Sequence, residues 1–182
     1  MALSATVYHL QIDVSDVDRG VYVTLDLRVA RHPSETMRYL LPRVIAYCLC
    51  YEEGIAFTKG LSDAEDPALW IKDLQGNLRA WIEIGTPSAA RLHKASKASQ
   101  RVVVFTHNDP DLLKKAARTK AIHKAESIEV FALDGKFLDS LDATMDRNAQ
   151  WTLVHSEGIL YVTCGETNLT TPVTSCSLGD TE

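Results

Sequence analysis

No stretch of this 182-residue chain approaches the ~20 consecutive apolar residues needed to cross a bilayer. The N-terminal residues Met1 to Asp13 alternate apolar and polar side chains. They lack the basic region, apolar core and cleavage site of a secretory signal. These absences lead us to expect a cytoplasmic protein with no membrane partner. Cysteine is scarce: Cys48, Cys50, Cys164 and Cys176 are the only four, and none forms a C-x-x-C pair. Cys48 and Cys50 sit two apart in a helical pattern, so they point to different sides and do not chelate a metal together while the helix persists. We expect four reduced thiols and no structural zinc. A phosphate-binding glycine loop, a nucleophile elbow and a Cys/His pair are also missing. There is no internal repeat, linker or low-complexity segment, so residues 1–182 are expected to form one domain.

What is present is an ordinary globular composition, 46% apolar and 24% charged, and long enough for a substantial core. The net charge of -5 argues against a general nucleic-acid coat. It is unevenly spread, however. Arg91 to Lys124 holds nine basic and two acidic residues, a balance of +7, against ten basic and 22 acidic elsewhere, a balance of -12. Such a band suits a phosphate-facing surface, or equally a pair of solvated helix faces.

Thr6 to Asp13 and Val21 to Ala30 alternate at period two on either side of a polar turn, Ser15 to Gly20, which predicts an antiparallel hairpin. Arg31 to Thr36 then opens a helix, with Ser34 as the expected cap and Glu35 suited to the positive end of the dipole. Met37, Leu40, Leu41, Val44, Ile45, Cys48 and Leu49 give that helix one apolar face. Pro42 predicts a kink and Gly54 the end of the element. Ile55 to Thr58 is a short strand candidate, followed by an acidic loop from Gly60 to Pro67. Ala68 to Lys72 and Leu78 to Ile84 read as strands joined around Gln75-Gly76-Asn77. Pro87 and Ser88 open a second helix with Arg91, Lys94 and Lys97 on its basic side. Arg101 to Thr106 carries a continuous apolar run typical of a buried strand. A basic helix fills part of Asp109 to Lys124. Ser127 to Leu133 reads as a strand, and Phe137 to Met145 as a short helix. Trp151 to His155, Ile159 to Thr163 and Leu169 to Val173 form a C-terminal meander. The order ββαβββαβαβαβββ predicts an α/β domain with one mixed β-sheet flanked by helices. The 68–84 hairpin belongs at its centre, strand 101–106 is buried, and helix 88–98 crosses between them.

Several strings, in this order and spacing, resemble the YaeQ family. They are Ala2-Leu3 with Thr6-Val7-Tyr8, Ala30-Arg31-His32-Pro33-Ser34-Glu35-Thr36, Phe57-Thr58-Lys59-Gly60-Leu61-Ser62, Leu69-Trp70, Trp81-Ile82-Glu83-Ile84-Gly85-Thr86-Pro87 and Arg91-Leu92-His93-Lys94-Ala95. The resemblance covers essentially the whole chain, most strongly residues 1–106. It implies a variant of the restriction-endonuclease-like, PD-(D/E)xK nuclease fold. It does not imply a substrate.

A site of that kind needs two carboxylates around a hard cation such as Mg²⁺, and a lysine beside the attacking water. The resemblance maps the second carboxylate onto Glu83. The first falls on Asp66, with Glu65 and Asp63 as competitors, because the chain reads Asp66-Pro67-Ala68 where the motif has proline before aspartate. The lysine position is Gly85, so Lys94 in the following helix is the substitute, with Arg91 one turn before it. Glu35 is a candidate fourth polar member. Alternation puts Trp81 and Glu83 on one face. His32 has the chemistry of a ligand or base, but its place before Pro33 favours anchoring. His107, His123 and His155 lack ligand-spaced partners and read as ordinary, and Trp70 and Trp81 read as core. The leading expectation is an Mg²⁺-dependent, nuclease-like phosphodiesterase that holds nucleic acid along the Arg91–Lys124 band. The alternative is a non-catalytic nucleic-acid- or protein-binding regulatory module. A third is a scaffold whose polar pocket serves stability alone.

Overall fold

The computed structural model describes residues 4–59 and 65–179. The N-terminal alternation becomes an antiparallel pair, β1 (Thr6–Asp16) and β2 (Val21–Arg31), with Leu10 opposite Leu27 and Ile12 opposite Leu25. The C-terminal meander is β8 (Asn148–Ser156), β9 (Ile159–Cys164) and β10 (Thr167–Pro172). β8 lies parallel to β1, placing Trp151 beside Ile12, so the N-terminal hairpin and the C-terminal meander share a five-stranded sheet ordered β10-β9-β8-β1-β2.

The middle of the chain, joined by the last strand, builds a second, six-stranded sheet. Its members are β3 (Ile55–Phe57), β4 (Leu69–Lys72), β5 (Leu78–Ile84), β6 (Arg101–Thr106), β7 (Ile128–Ala132) and β11 (Thr174–Ser177). They run in the order β11-β7-β6-β5-β4-β3. β4 and β5 are antiparallel, whereas β5, β6 and β7 are parallel. Helix α2 (Ala89–Ala98) connects β5 to β6, and α3 (Pro110–Thr119) connects β6 to β7. The expected hairpin, buried strand and crossing helix are therefore all present. The expected single sheet is not: the described residues form two, both mixed. A β1–β8 pairing joins segments too far apart in sequence for local patterning to reveal. The edge strand β11 also goes beyond the expected element order, since its Thr-Ser-Cys-Ser sequence carries little strand signal.

Helix α1 (Met37–Leu49) explains how the sheets cohere. It buries Leu40, Leu41, Pro42, Arg43, Val44, Ile45, Ala46, Cys48 and Leu49, which is burial almost all round rather than on one stripe. Together with α4 (Gly135–Asp142) it lies in one hydrophobic cluster. That cluster includes Leu10, Ile12, Leu25, Leu27 and Leu153 of the first sheet and Leu69, Ile71, Ile82, Val103 and Phe105 of the second. Each large aliphatic side chain so buried contributes about 1.5–3 kcal/mol. A separate cluster lies on the other face of the second sheet. There Trp81, Val102, Val104, Ile128 and Val130 pack against Leu92 and Ala95 of α2 and Leu113 of α3.

Two local expectations change. Ser34 does not cap α1; the N-cap is Thr36, without a side-chain hydrogen bond. Ser34 Oγ instead lies 2.6 Å from His32 Nδ1, and the His32 N–H donates to Glu35 Oε2 at 3.0 Å, so this segment is a turn that precedes the helix. The helix ends at Leu49, before Gly54. Gly54 has φ +91°, and a Cβ there would lie 1.9 Å from the Lys72 carbonyl oxygen, so only glycine lets the start of β3 meet the end of β4. Among the described residues, no helix is long and apolar enough to cross a membrane.

Candidate functional site

The predicted site residues fall at one end of the β4–β5 hairpin, where the second sheet meets the first turn of α2. Along β5, Ala80, Ile82 and Ile84 join the cluster around α1, whereas Trp81 packs toward α2. Alternation brings Glu83 to the Trp81 side, and the Trp81 Nε1–H donates to Glu83 Oε1 at 2.5 Å. The strand ends at Gly85, whose φ is +88° and whose N–H donates to the Phe105 carbonyl at 2.8 Å. The motif's lysine position is thus a left-handed turn, which disfavours any side chain.

Ser88 caps α2 by accepting the Arg91 N–H, which places Arg91 in the first helical turn. Arg91 Nε donates to Glu83 Oε1 at 2.6 Å, and its Nη2 donates to the Asp66 main-chain carbonyl at 2.5 Å. Lys94, one turn further, forms an ion pair with Glu65. The Arg91 guanidinium lies 5.9 Å and the Lys94 ammonium 6.0 Å from the centroid of the same Trp81 ring. The structure therefore brings Glu83, Arg91, Lys94, Glu65 and the backbone of Asp66 together. Of the candidates for the first carboxylate, Glu65 reaches α2 through its side chain and Asp66 through its carbonyl. Asp63 lies outside the described residues.

Glu83 is 4% exposed. Burial pushes its carboxyl above the usual carboxylate range, against the opposing pull of the Trp81 and Arg91 hydrogen bonds. Its Oε2 takes no hydrogen bond among the described residues. On the α1 side, Glu35 is buried and accepts from Arg43 at 2.6 Å, with the Arg43 guanidinium 5.4 Å from the Phe57 ring centroid. Burial raises the Tyr39 hydroxyl, and it feels the charges of Arg43, Glu83, Glu35 and Arg91 in turn. Tyr39 thus lies within electrostatic reach of both glutamate–arginine pairs. Sequence reasoning named Glu35 but missed Arg43 and Tyr39. The signal was an arginine set directly after Pro42 in an otherwise apolar helical run.

His32 Nδ1 contacts Ser34 Oγ within the same turn. His107 is half-buried, and burial with nearby Arg38 pushes its imidazole below the ordinary range. His123 donates its main-chain N–H to His93. His155, read as ordinary, has partners after all. Its Nδ1 is 3.0 Å from fully buried Asp16 and its Nε2 is 3.6 Å from Asp18, a clasp between the β1–β2 and β8–β9 turns. Asp18 accepts the Gly158 and Glu157 N–H groups, which hold its carboxyl below the usual range. Trp81 is buried as expected, whereas Trp70 is half-buried under Lys72, whose ammonium is 3.5 Å from its ring centroid. Burial raises both the Cys48 and Cys50 thiols, the latter to about 12. All four cysteines are free.

The basic band follows α2 and α3, which pack over the Trp81 face of the second sheet. Part of its charge is already matched: Arg101 bonds Glu129 at 2.7 and 2.9 Å, Arg91 holds Glu83 and Lys94 holds Glu65. Lys97, Lys115, Arg118, Lys120 and Lys124 form no ion pair among the described residues. No group of three or more His, Cys, Asp or Glu side chains is arranged to hold a metal among the described residues.

The family model described as YaeQ protein matches residues 1–173. The chain belongs to the YaeQ family. Among YaeQ relatives, the Escherichia coli (strain K12) protein named Uncharacterized protein YaeQ is 29% identical over 177 residues, covering 96% of this chain and 97% of that one. The crystal structure of the YaeQ protein from Xanthomonas axonopodis pv. citri superposes with a TM-score of 0.88 at 28% identity, covering 96% of this chain and 99% of that one. The YaeQ protein from Pseudomonas syringae does so with a TM-score of 0.86 at 31% identity, covering 95% and 96% respectively. The two-sheet arrangement is therefore shared with solved YaeQ structures along nearly their whole length.

Proposed function

We propose that this chain is a metal-dependent phosphodiesterase of the nuclease type, acting on nucleic acid laid along α2 and α3. One observation carries the reading. Glu83 and Glu65 are each paired to a cation of α2, and those two cations sit one helical turn apart over a single Trp81 ring. Two carboxylates and two bases thereby share one small region at the end of a strand. The element run α1, β3, β4, β5, α2, β6 supports a restriction-endonuclease-like, PD-(D/E)xK core. A cytoplasmic location belongs to the same proposal.

The residues fit Mg²⁺, which is commonly bound by only one or two protein carboxylates and completes its shell with water and phosphate. Glu83 would hold it through Oε2, with Asp66 or Glu65 as the second carboxylate. When bound, such an ion polarises a phosphodiester and makes a water more acidic. The chain's own residues do the rest. Arg91 fixes the Glu83 carboxylate and ties the Asp66 backbone to α2. Lys94 supplies the positive charge that Gly85 cannot. Lys97, Lys115 and Arg118 offer charge to the phosphate backbone.

The test is cleavage of single- and double-stranded DNA and RNA with Mg²⁺ or Mn²⁺ against chelator. Lys94→Ala should abolish cleavage while sparing metal binding. Binding should weaken with salt at a log–log slope of about -0.7 to -0.9 per phosphate contacted, and Lys115→Ala with Arg118→Ala should flatten it. Absence of binding at low salt would leave the band as a solvated surface.

A second reading, a non-catalytic nucleic-acid- or protein-binding module, is favoured by a different observation. Glu83 Oε1 already accepts from both Trp81 and Arg91, so the carboxylate is partly neutralised within the chain. Binding to nucleic acid without cleavage in any metal would select it.

A further inference from the structure

We propose that this protein forms a two-fold symmetric dimer by antiparallel pairing of β2 with β2 of a second copy, centred on Leu27. The argument begins with the sheet edges. An edge strand presents unpaired N–H and C=O groups, and folds usually blunt such edges with short length, proline or irregularity. Of the four edges among the described residues, three are blunted: β3 has three residues, β11 has four, and six-residue β10 ends in Pro172. β2 is the exception. It is an edge of 11 residues with no proline, and its register with β1 is unbroken from Val21 to Arg31. Among the described residues it pairs with β1 alone.

The side chains then choose the occupant. Leu25, Leu27 and Val29 face the core, whereas Thr24, Asp26, Arg28 and Ala30 are exposed on the outer face. A partner strand must keep its core-facing residues on the same side, so only registers that align like faces are allowed. Antiparallel pairing centred on Leu27 sets Asp26 opposite Arg28 of the partner copy, and by symmetry Arg28 opposite Asp26. Thr24 then meets Ala30 on the outer face, and Leu25 meets Val29 on the inner one. Centring on Asp26 would oppose two aspartates, and centring on Arg28 two arginines. Opposite charges across strands stabilise pairing and like charges oppose it, so the sequence selects one register. Charge on an edge strand ordinarily deters pairing, but deterrence requires like signs to meet. Neither Asp26 nor Arg28 forms an ion pair or side-chain hydrogen bond among the described residues, so both remain available. The product is a continuous ten-stranded sheet built from two five-stranded ones. A recess of about 630 Å³, lined among others by His9, Leu10, Gln11, Asp26 and Ala149, would flank the seam in each copy.

The experiment is sedimentation velocity of the full chain across a wide concentration range at low salt, on wild type, Asp26→Arg, Arg28→Asp and the double exchange. Wild type should show a concentration-dependent dimer. Each single exchange should raise the dissociation constant at least about tenfold, and the double exchange, which restores opposite charges in the same register, should recover dimerisation. Both positions are solvent-exposed, and circular dichroism of each variant confirms that it folds. A wild type that stays monomeric at every concentration overturns the proposal. So does a dimer indifferent to the single exchanges, or a double exchange that fails to rescue.

Discussion

Two glutamates in this protein are held by arginines at the same 2.6 Å separation, Glu35 by Arg43 and Glu83 by Arg91. In the first pair the arginine and glutamate side chains are 3% and 1% exposed, whereas in the second they are 28% and 5% exposed. Glu35 and Arg43 fasten the turn before α1 to the middle of that helix, at the layer between the two sheets. Glu35 also takes the His32 N–H, so both of its oxygens have partners inside the fold. Glu83 has one oxygen engaged twice and the other without a hydrogen bond among the described residues, and its arginine is partly exposed beside Lys94 and Glu65. The same two residue types thus do different work according to enclosure. The first pair is enclosed on both sides, while the second leaves its arginine partly open to solvent.

Breaking the sealed pair should have the largest effect. Arg43→Ala leaves a buried carboxylate without its counter-charge and should cost about 3–5 kcal/mol in urea denaturation. Glu35→Gln combined with Arg43→Met removes both charges and should recover most of that loss, since apolar replacement of a buried pair is often neutral. A cost for Arg43→Ala below about 1 kcal/mol would place the pair in the class of surface ion pairs and erase the contrast.

Breaking the half-open pair should cost less. Arg91→Ala should destabilise by about 1–3 kcal/mol, because water can partly replace the guanidinium. It should also push the Glu83 carboxyl further up, since the Arg91 contacts oppose the effect of burial. Mg²⁺ should then bind more weakly, because Arg91 fixes the carboxylate proposed to hold it. Tighter Mg²⁺ binding would show instead that Arg91 competes with the metal.

The smallest effect is a pH dependence. The folded Glu83 carboxyl is raised above its unfolded value, so its protonated form is favoured in the native state. Wild type therefore gains stability from this group as pH falls, fully so below the ordinary carboxylate range, and loses it as pH rises through the raised value. Glu83→Gln carries no such charge. It should equal or exceed wild type in stability at neutral pH, and the difference should shrink in acid. A difference that grows in acid would mean that the Arg91 and Trp81 contacts outweigh burial.

Much of the frame was readable in the chain itself. The continuous apolar run Val102 to Phe105 reads as a buried strand, and the turn at Gln75 to Asn77 sets the hairpin that presents Glu83. The two sheets were not readable, because Asp16 and His155, which meet where β1 lies beside β8, are 139 residues apart. Nor was burial of α1 on all sides, since its apolar stripe alone does not show that a second sheet covers the opposite face. At the site, helical spacing put Arg91 and Lys94 on one face. Which acid of the preceding loop reaches α2 depends on loop geometry, and there Glu65 pairs with Lys94 at the surface while Asp66 offers a carbonyl. The Arg43–Glu35 pairing is not readable from helical spacing, because Glu35 lies in the turn before the helix, eight residues earlier.

The most direct test of the central claim is calorimetric titration of wild type and Glu83→Gln with Mg²⁺ and Mn²⁺. The account predicts that wild type binds one ion, at up to millimolar dissociation constant, and that Glu83→Gln, folded by circular dichroism, binds none. A wild type that takes up neither metal at millimolar concentration, or a Glu83→Gln variant that binds as well as wild type, would contradict it.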